Sequence, residues 1–165
     1  MLFIILVLLF FPSCGRSNDL TPEQIKETTM FTDKYDPDIL LIEDNAQNSL
    51  STFFRNLNRA NSGDRNFFVK YPFLADDGSG IRVEQLWLTG IYYENGNYYG
   101  TLANSPMNIS SLKKDDKVIF STDSVTDWMY IQDGKIIGGQ SIKYLLENIP
   151  EEERNDQQRN ILQMF

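Results

Sequence analysis

The chain has 165 residues, a formal charge of −8, 41% hydrophobic residues, one Cys and no His. This is material for one domain core, and an acidic balance offset by no Lys or Arg cluster beyond Lys113, Lys114 and Lys117 excludes a nucleic-acid partner. Ser-His-Asp and Cys-His catalysis, internal disulfides and ordinary zinc sites are excluded as well, and neither metal nor cofactor is expected.

The first element is an address. Leu2 to Phe11 is an unbroken apolar run of ten residues. As a helix it covers roughly 15 Å, about half a bilayer core, which suits an export signal rather than a span. Ser13 then precedes Cys14, an arrangement that resembles the lipobox of bacterial lipoprotein signals. In such signals the Cys is lipidated and becomes the mature N-terminus. No Lys or Arg precedes the run, and Phe11-Pro12 replaces the usual Leu and small residue. Residues 1–13 are therefore read as a lipoprotein signal peptide and 14–43 as a tether and variable segment. Within the tether, Thr21-Pro22-Glu23-Gln24 can start a short helix.

From Asp44 the apolar residues Ala46, Leu50, Phe53, Phe54, Leu57 and Ala60 recur at helical spacing. The pattern predicts an amphipathic helix with Asp44 as its cap and Gln47 as the N3 partner. Asn61-Ser62-Gly63-Asp64 ends it. Strands follow over 66–73, 81–93, 97–103, 117–121 and 125–131, with Pro72 marking a sheet edge or a strand end. Asn95-Gly96 between aromatic runs predicts a hairpin, and Asp133-Gly134 a second tight turn into Lys135-Ile136-Ile137. Gly138-Gly139 leaves the sheet for backbone reasons, and 141–148 reads as a helix with Ile142, Leu145 and Leu146 inward. Residues 151–160 show no apolar face and read as a solvated or frayed tail. The result is an α+β domain over 44–149 and a polar C-terminal helix or tail over 150–165. Its antiparallel sheet has about five or six strands, with an N-terminal packing helix and one or two C-terminal helices.

Phe68-Val69-Lys70, Pro72-Phe73, Glu84-Gln85-Leu86-Trp87 and Gly100-Thr101-Leu102-Ala103-Asn104-Ser105-Pro106 occur in that order. Lys117-Val118, Asp127-Trp128-Met129-Tyr130 and Gly134-Lys135-Ile136-Ile137-Gly138-Gly139 follow. The series resembles the YegJ-like bacterial family, a domain of unknown function, over about 44–146. That family commonly carries Glu-His before the Trp motif, where this chain has Gln85. The resemblance implies a fold and an address, with no activity attached.

The residues singled out are Glu84, Trp87, Asn104, Asp127, Trp128, Tyr130, Lys135, Gly138 and Gly139, with Cys14 for lipidation. None is assigned a catalytic role. On a strand, Trp128 and Tyr130 share one face and Asp127 and Met129 the other, so the two rings either stack on a sugar or fill the core beneath the helix. Asp127 either fixes local backbone or accepts from a ligand, and Asn104-Ser105-Pro106 also reads as turn chemistry. Glu84 and Asp127 form the one carboxylate pair considered for glycosidase-type acid and base work, which needs about 5 to 9.5 Å between them. The reading favoured is a non-catalytic binding or interaction module at the cell envelope. It is anchored to membrane by lipid and contacts an envelope protein, peptide or glycan. A carboxylate-dependent hydrolase of cell-wall or extracellular polymer and an inhibitor or immunity-type protein are the alternatives. Gly15 after Cys14 offers no Asp for inner-membrane retention, so the outer membrane or cell surface is expected.

Overall fold

The computed structural model describes residues 36–60, 66–76 and 83–165. The expected signal, the lipidated Cys14 and the short helix at Thr21 lie outside them.

The first helix, α1, spans Pro37–Leu57. Asp36 caps it by accepting from Asp38 N–H at 2.9 Å, and Pro37 occupies the first helical position, where no N–H is needed. It thus starts before the expected Asp44, which lies inside it and accepts from Asn48 instead. Gln47 is not a capping partner. Its amide reaches out of the helix to donate to Thr122 O at 3.0 Å and to Val125 O.

Six strands form one antiparallel sheet: β1 (Phe67–Leu74), β2 (Val83–Glu94), β3 (Asn97–Leu102), β4 (Lys117–Phe120), β5 (Asp127–Gln132) and β6 (Lys135–Gly138), in the order β4-β3-β2-β1-β5-β6. β1 is central, and its pairing with β5 ends at Lys70↔Asp127, so Pro72 sits where no strand on that side needs its missing N–H. Both expected tight turns are present. Asn95 and Gly96, and likewise Asp133 and Gly134, have positive φ at both central positions, the twist that joins antiparallel strands through two residues.

Helices cover both faces. α1 buries Ala46, Leu50 and Phe53 against Val69, Leu86, Leu88, Trp128 and Tyr130. The other face, carrying Phe68, Trp87 and Met129, is closed by α2 (Gln140–Glu147) and α3 (Asp156–Gln163) through Ile142, Leu146 and Ile161. The C-terminal segment is thus ordered helix rather than a frayed tail. Asn155 and Gln158 form a reciprocal capping box, and Ile161 is 3% exposed. A register shift between Thr89 and Tyr92, where Gly90 has φ +60°, moves Ile91 onto the face that Leu88 already occupies. The hairpin tyrosines consequently pair as Tyr93↔Tyr98 on the α1 side and Tyr92↔Tyr99 on the other.

Candidate functional site

Strand alternation decides where the candidate side chains go. Asp127 opens β5 on the Met129 face and is 2% exposed. Its two carboxylate oxygens accept from different backbone donors, Oδ1 from Trp128 N–H and Oδ2 from Ser141 N–H, each at 2.8 Å. Ser141 lies in the first turn of α2, whose N-cap, Gly139, has no side chain to offer. Asp127 therefore caps that helix from a strand away in sequence, supplying the acceptor and negative charge its N-terminus favours.

Lys70, opposite Asp127 in the β1–β5 register, completes the cluster. Its Nζ donates to Ser141 Oγ at 3.2 Å and lies 5.8 Å from the centre of the Trp87 ring. Burial pulls the Lys70 amine below its ordinary range, and the charges of Asp127 and Glu43 oppose that shift. Burial pushes the Asp127 carboxyl up, against the hydrogen bonds from Ser141 and Trp128 and the charge of Lys70. Beside them Gln85, at the position where the resembling family carries His, accepts from Thr126 Oγ1 at 2.8 Å. The cluster is a helix cap with its counter-charge.

Glu84 faces the other way. It pairs in register with Phe73 on the α1 face, is 4% exposed, and accepts from Met107 N–H and Asn108 N–H at 2.8 Å each. It pins the loop after β3. Asp76 holds the same loop through Ser110 N–H and Ser111 N–H, and hydrogen bonds from Ser111 and Ser110 lower its carboxyl to about 2. Glu84 and Asp127 thus lie on opposite faces of the sheet, and both spend their oxygens on backbone donors. The structure does not bring this pair together as an acid and a base.

The remaining candidates are placed as follows. Asn104 is buried, and its Oδ1 accepts from Trp87 N–H at 3.0 Å, extending the β2–β3 ladder by a side chain. Trp128 Nε1 donates to Ala46 O and Ser49 Oγ, both at 3.1 Å, tying β5 to α1. Its ring lies parallel to Tyr130 at 6.1 Å, and Tyr130 stacks on Phe67 at 5.1 Å. Both rings are core beneath the helix. Lys135 Nζ donates to Gln163 O at the end of α3. Gly138 and Gly139 have φ of +82° and +66°, and a Cβ on Gly138 would run into the Trp128 carbonyl and ring. Gly139 N–H donates to that same carbonyl at 2.8 Å. Among the described residues no group of three or more Cys, Asp or Glu could hold a metal.

Sequence reasoning missed one feature. On the α1 side of the sheet, between the β2–β3 hairpin and the end of β4, lies an open cleft of about 420 Å³. Tyr71, Tyr93, Tyr98 and Phe120 supply its rings, with Tyr93 and Tyr98 at 4.9 Å and Tyr98 and Phe120 at 5.8 Å. Tyr93 keeps 63% of its surface exposed. The signal available was the density of aromatic residues in 92–99, which is also the signature of ordinary hairpin pairing.

These elements define an antiparallel α+β domain with helices on both faces and a buried carboxylate that caps one of them. The chain belongs to the family described as uncharacterized protein conserved in bacteria (DUF2314), whose model matches residues 36–161. It is 29% identical over 156 residues to "Uncharacterized protein YegJ" of Escherichia coli (strain K12), with 94% of each chain covered. This agrees with the resemblance carried by the motif series. It is also 32% identical over 88 residues to "Putative ankyrin repeat protein NMB1133/NMB1171" of Neisseria meningitidis serogroup B, which covers 53% of this chain and 35% of that protein. No solved structure matches the chain.

Proposed function

We propose that the protein is a non-catalytic binding module held at the cell envelope by lipid on Cys14, with the aromatic cleft as its ligand surface. One contrast carries this reading. The polar candidates Glu84, Asn104 and Asp127 are buried and committed to backbone donors, whereas Tyr93 stays exposed beside an open cleft. A cleft of roughly 300–1,000 Å³ lined by aromatic groups and a few polar ones is the usual form of a small-ligand site. The apolar run before Cys14 supports the anchor, since each acyl methylene buried in a bilayer contributes about 0.8 kcal/mol.

Two measurements test the two halves. Palmitate labelling and membrane sedimentation should both be lost in Cys14→Ala; labelling that persists unchanged removes the anchor. A photo-crosslinking residue in place of Tyr93, in intact cells, should give envelope adducts that the same residue at Ile137 on β6 does not. Equal or absent adducts at both positions would remove the cleft as a ligand surface.

A further inference from the structure

The geometry points to a neutral saccharide as the occupant of the cleft, a refinement that rests on the cleft being the ligand surface. In a chain that is 23% charged, none of the residues lining this cleft carries a charge. A charged polymer would find no counter-ion there. The polar lining consists of the Asn97 amide and the Ser121 and Thr122 hydroxyls, beside the three tyrosines. The hydroxyls of Tyr93, Tyr98, Ser121 and Thr122 can each donate to and accept from a ligand. Rings next to neutral hydroxyls and an amide match the two surfaces of a pyranose. Its axial C–H face packs on an aromatic ring, and its equatorial hydroxyls exchange hydrogen bonds in both directions.

The cleft is also held in shape. Tyr98 packs on Phe54 of α1 at 4.7 Å and Tyr71 on Phe120 at 5.9 Å, so two of the platforms are fixed by the core rather than by the ligand. Binding then costs little ordering beyond Tyr93.

The test is amide-shift NMR on the protein from Cys14 onward. It is titrated with neutral tetrasaccharides of glucose, N-acetylglucosamine, mannose and galactose, with tetragalacturonate as a charged control and a proline-rich peptide as a second control. At least one neutral sugar should shift Asn97, Tyr98, Ser121 and Thr122, and tetragalacturonate should not. Tyr93→Ala should weaken that binding about tenfold, the equivalent of one good aromatic contact. Tyr92→Ala loses a similar cross-strand stack on the opposite face and should leave the affinity unchanged. A Tyr93→Ala protein whose fold is intact by NMR and whose sugar affinity is unchanged overturns the proposal. So does binding of the peptide but no sugar, or of none of these probes. If crosslinks at position 93 persist in that last case, the cleft still binds and only the saccharide assignment falls.

Discussion

Asp127 stands where a carboxylate is expensive, and three partners offset the expense: two backbone N–H groups and the amine of Lys70 across the strand pair. Removing it leaves the first turn of α2 without its acceptor and takes from the half-buried Lys70 one of the two negative charges, with Glu43, that act on it. Asp127→Ala is therefore expected to lose about 2 kcal/mol in urea unfolding, the scale for removing a helix cap and leaving buried N–H groups without their acceptor. The sign of the pH effect follows from its raised carboxyl. The folded state holds this proton more tightly than the unfolded chain does. Stability from this group is thus fully present below the ordinary value of 3.8 and lost as pH rises through the folded value. Lys70→Met takes away an opposing positive charge, so carboxyl-carbon NMR should find Asp127 titrating higher still. Asp76 has the reverse sign. Held down to about 2 by bonds from Ser111 and Ser110, it supports the loop above 3.8 and ceases to do so as pH falls toward 2. The protection of the Ser110 and Ser111 amides, corrected for the intrinsic exchange rate at each pH, should fall across that window and hold steady above it.

At the scale of elements, α1 is tied to the sheet by one indole as well as by apolar contact. Trp128→Phe keeps the ring packing but deletes the bonds to Ala46 O and Ser49 Oγ. Hydrogen exchange should show protection of α1 falling by about 1–2 kcal/mol, with β1 and β2 changed less. The strands were legible because their signals are local: Asn95-Gly96 and Asp133-Gly134 announce their turns within two residues. The start of α1 was missed for a physical reason. Ile39-Leu40-Leu41-Ile42 is a continuous apolar run with no helical period, and Leu40 and Leu41 are in fact 49% and 58% exposed. The Asp36-Pro37 cap was present in the sequence but sat before an unperiodic stretch. For α3 the sequence leaves a polar helix and a solvated tail both open, because its only buried residue is Ile161, too little for an amphipathic stripe. The candidate site was hidden by distance along the chain. The tie from Asp127 to Ser141 crosses β5 and β6, and the cleft collects residues from 71 to 122 that meet only when β2, β3 and β4 pair.

For the whole molecule, the two margins of the sheet are treated differently. β6 is closed: Ile136 N–H donates to Met164 O at 2.9 Å, and Lys135 reaches Gln163 O beside it. Along β4, by contrast, no strand among the described residues pairs on the outer side. With one margin shut, copies that met edge to edge through β4 would stop at two. Cutting the chain before Asn155 would strip that seal, and the β6 of one copy could then add to the β4 of the next without limit. Residues 155–165 thus act as a chain terminator for polymer growth, and a truncation that removes them would be expected to turn a dispersed protein into a fibre-former.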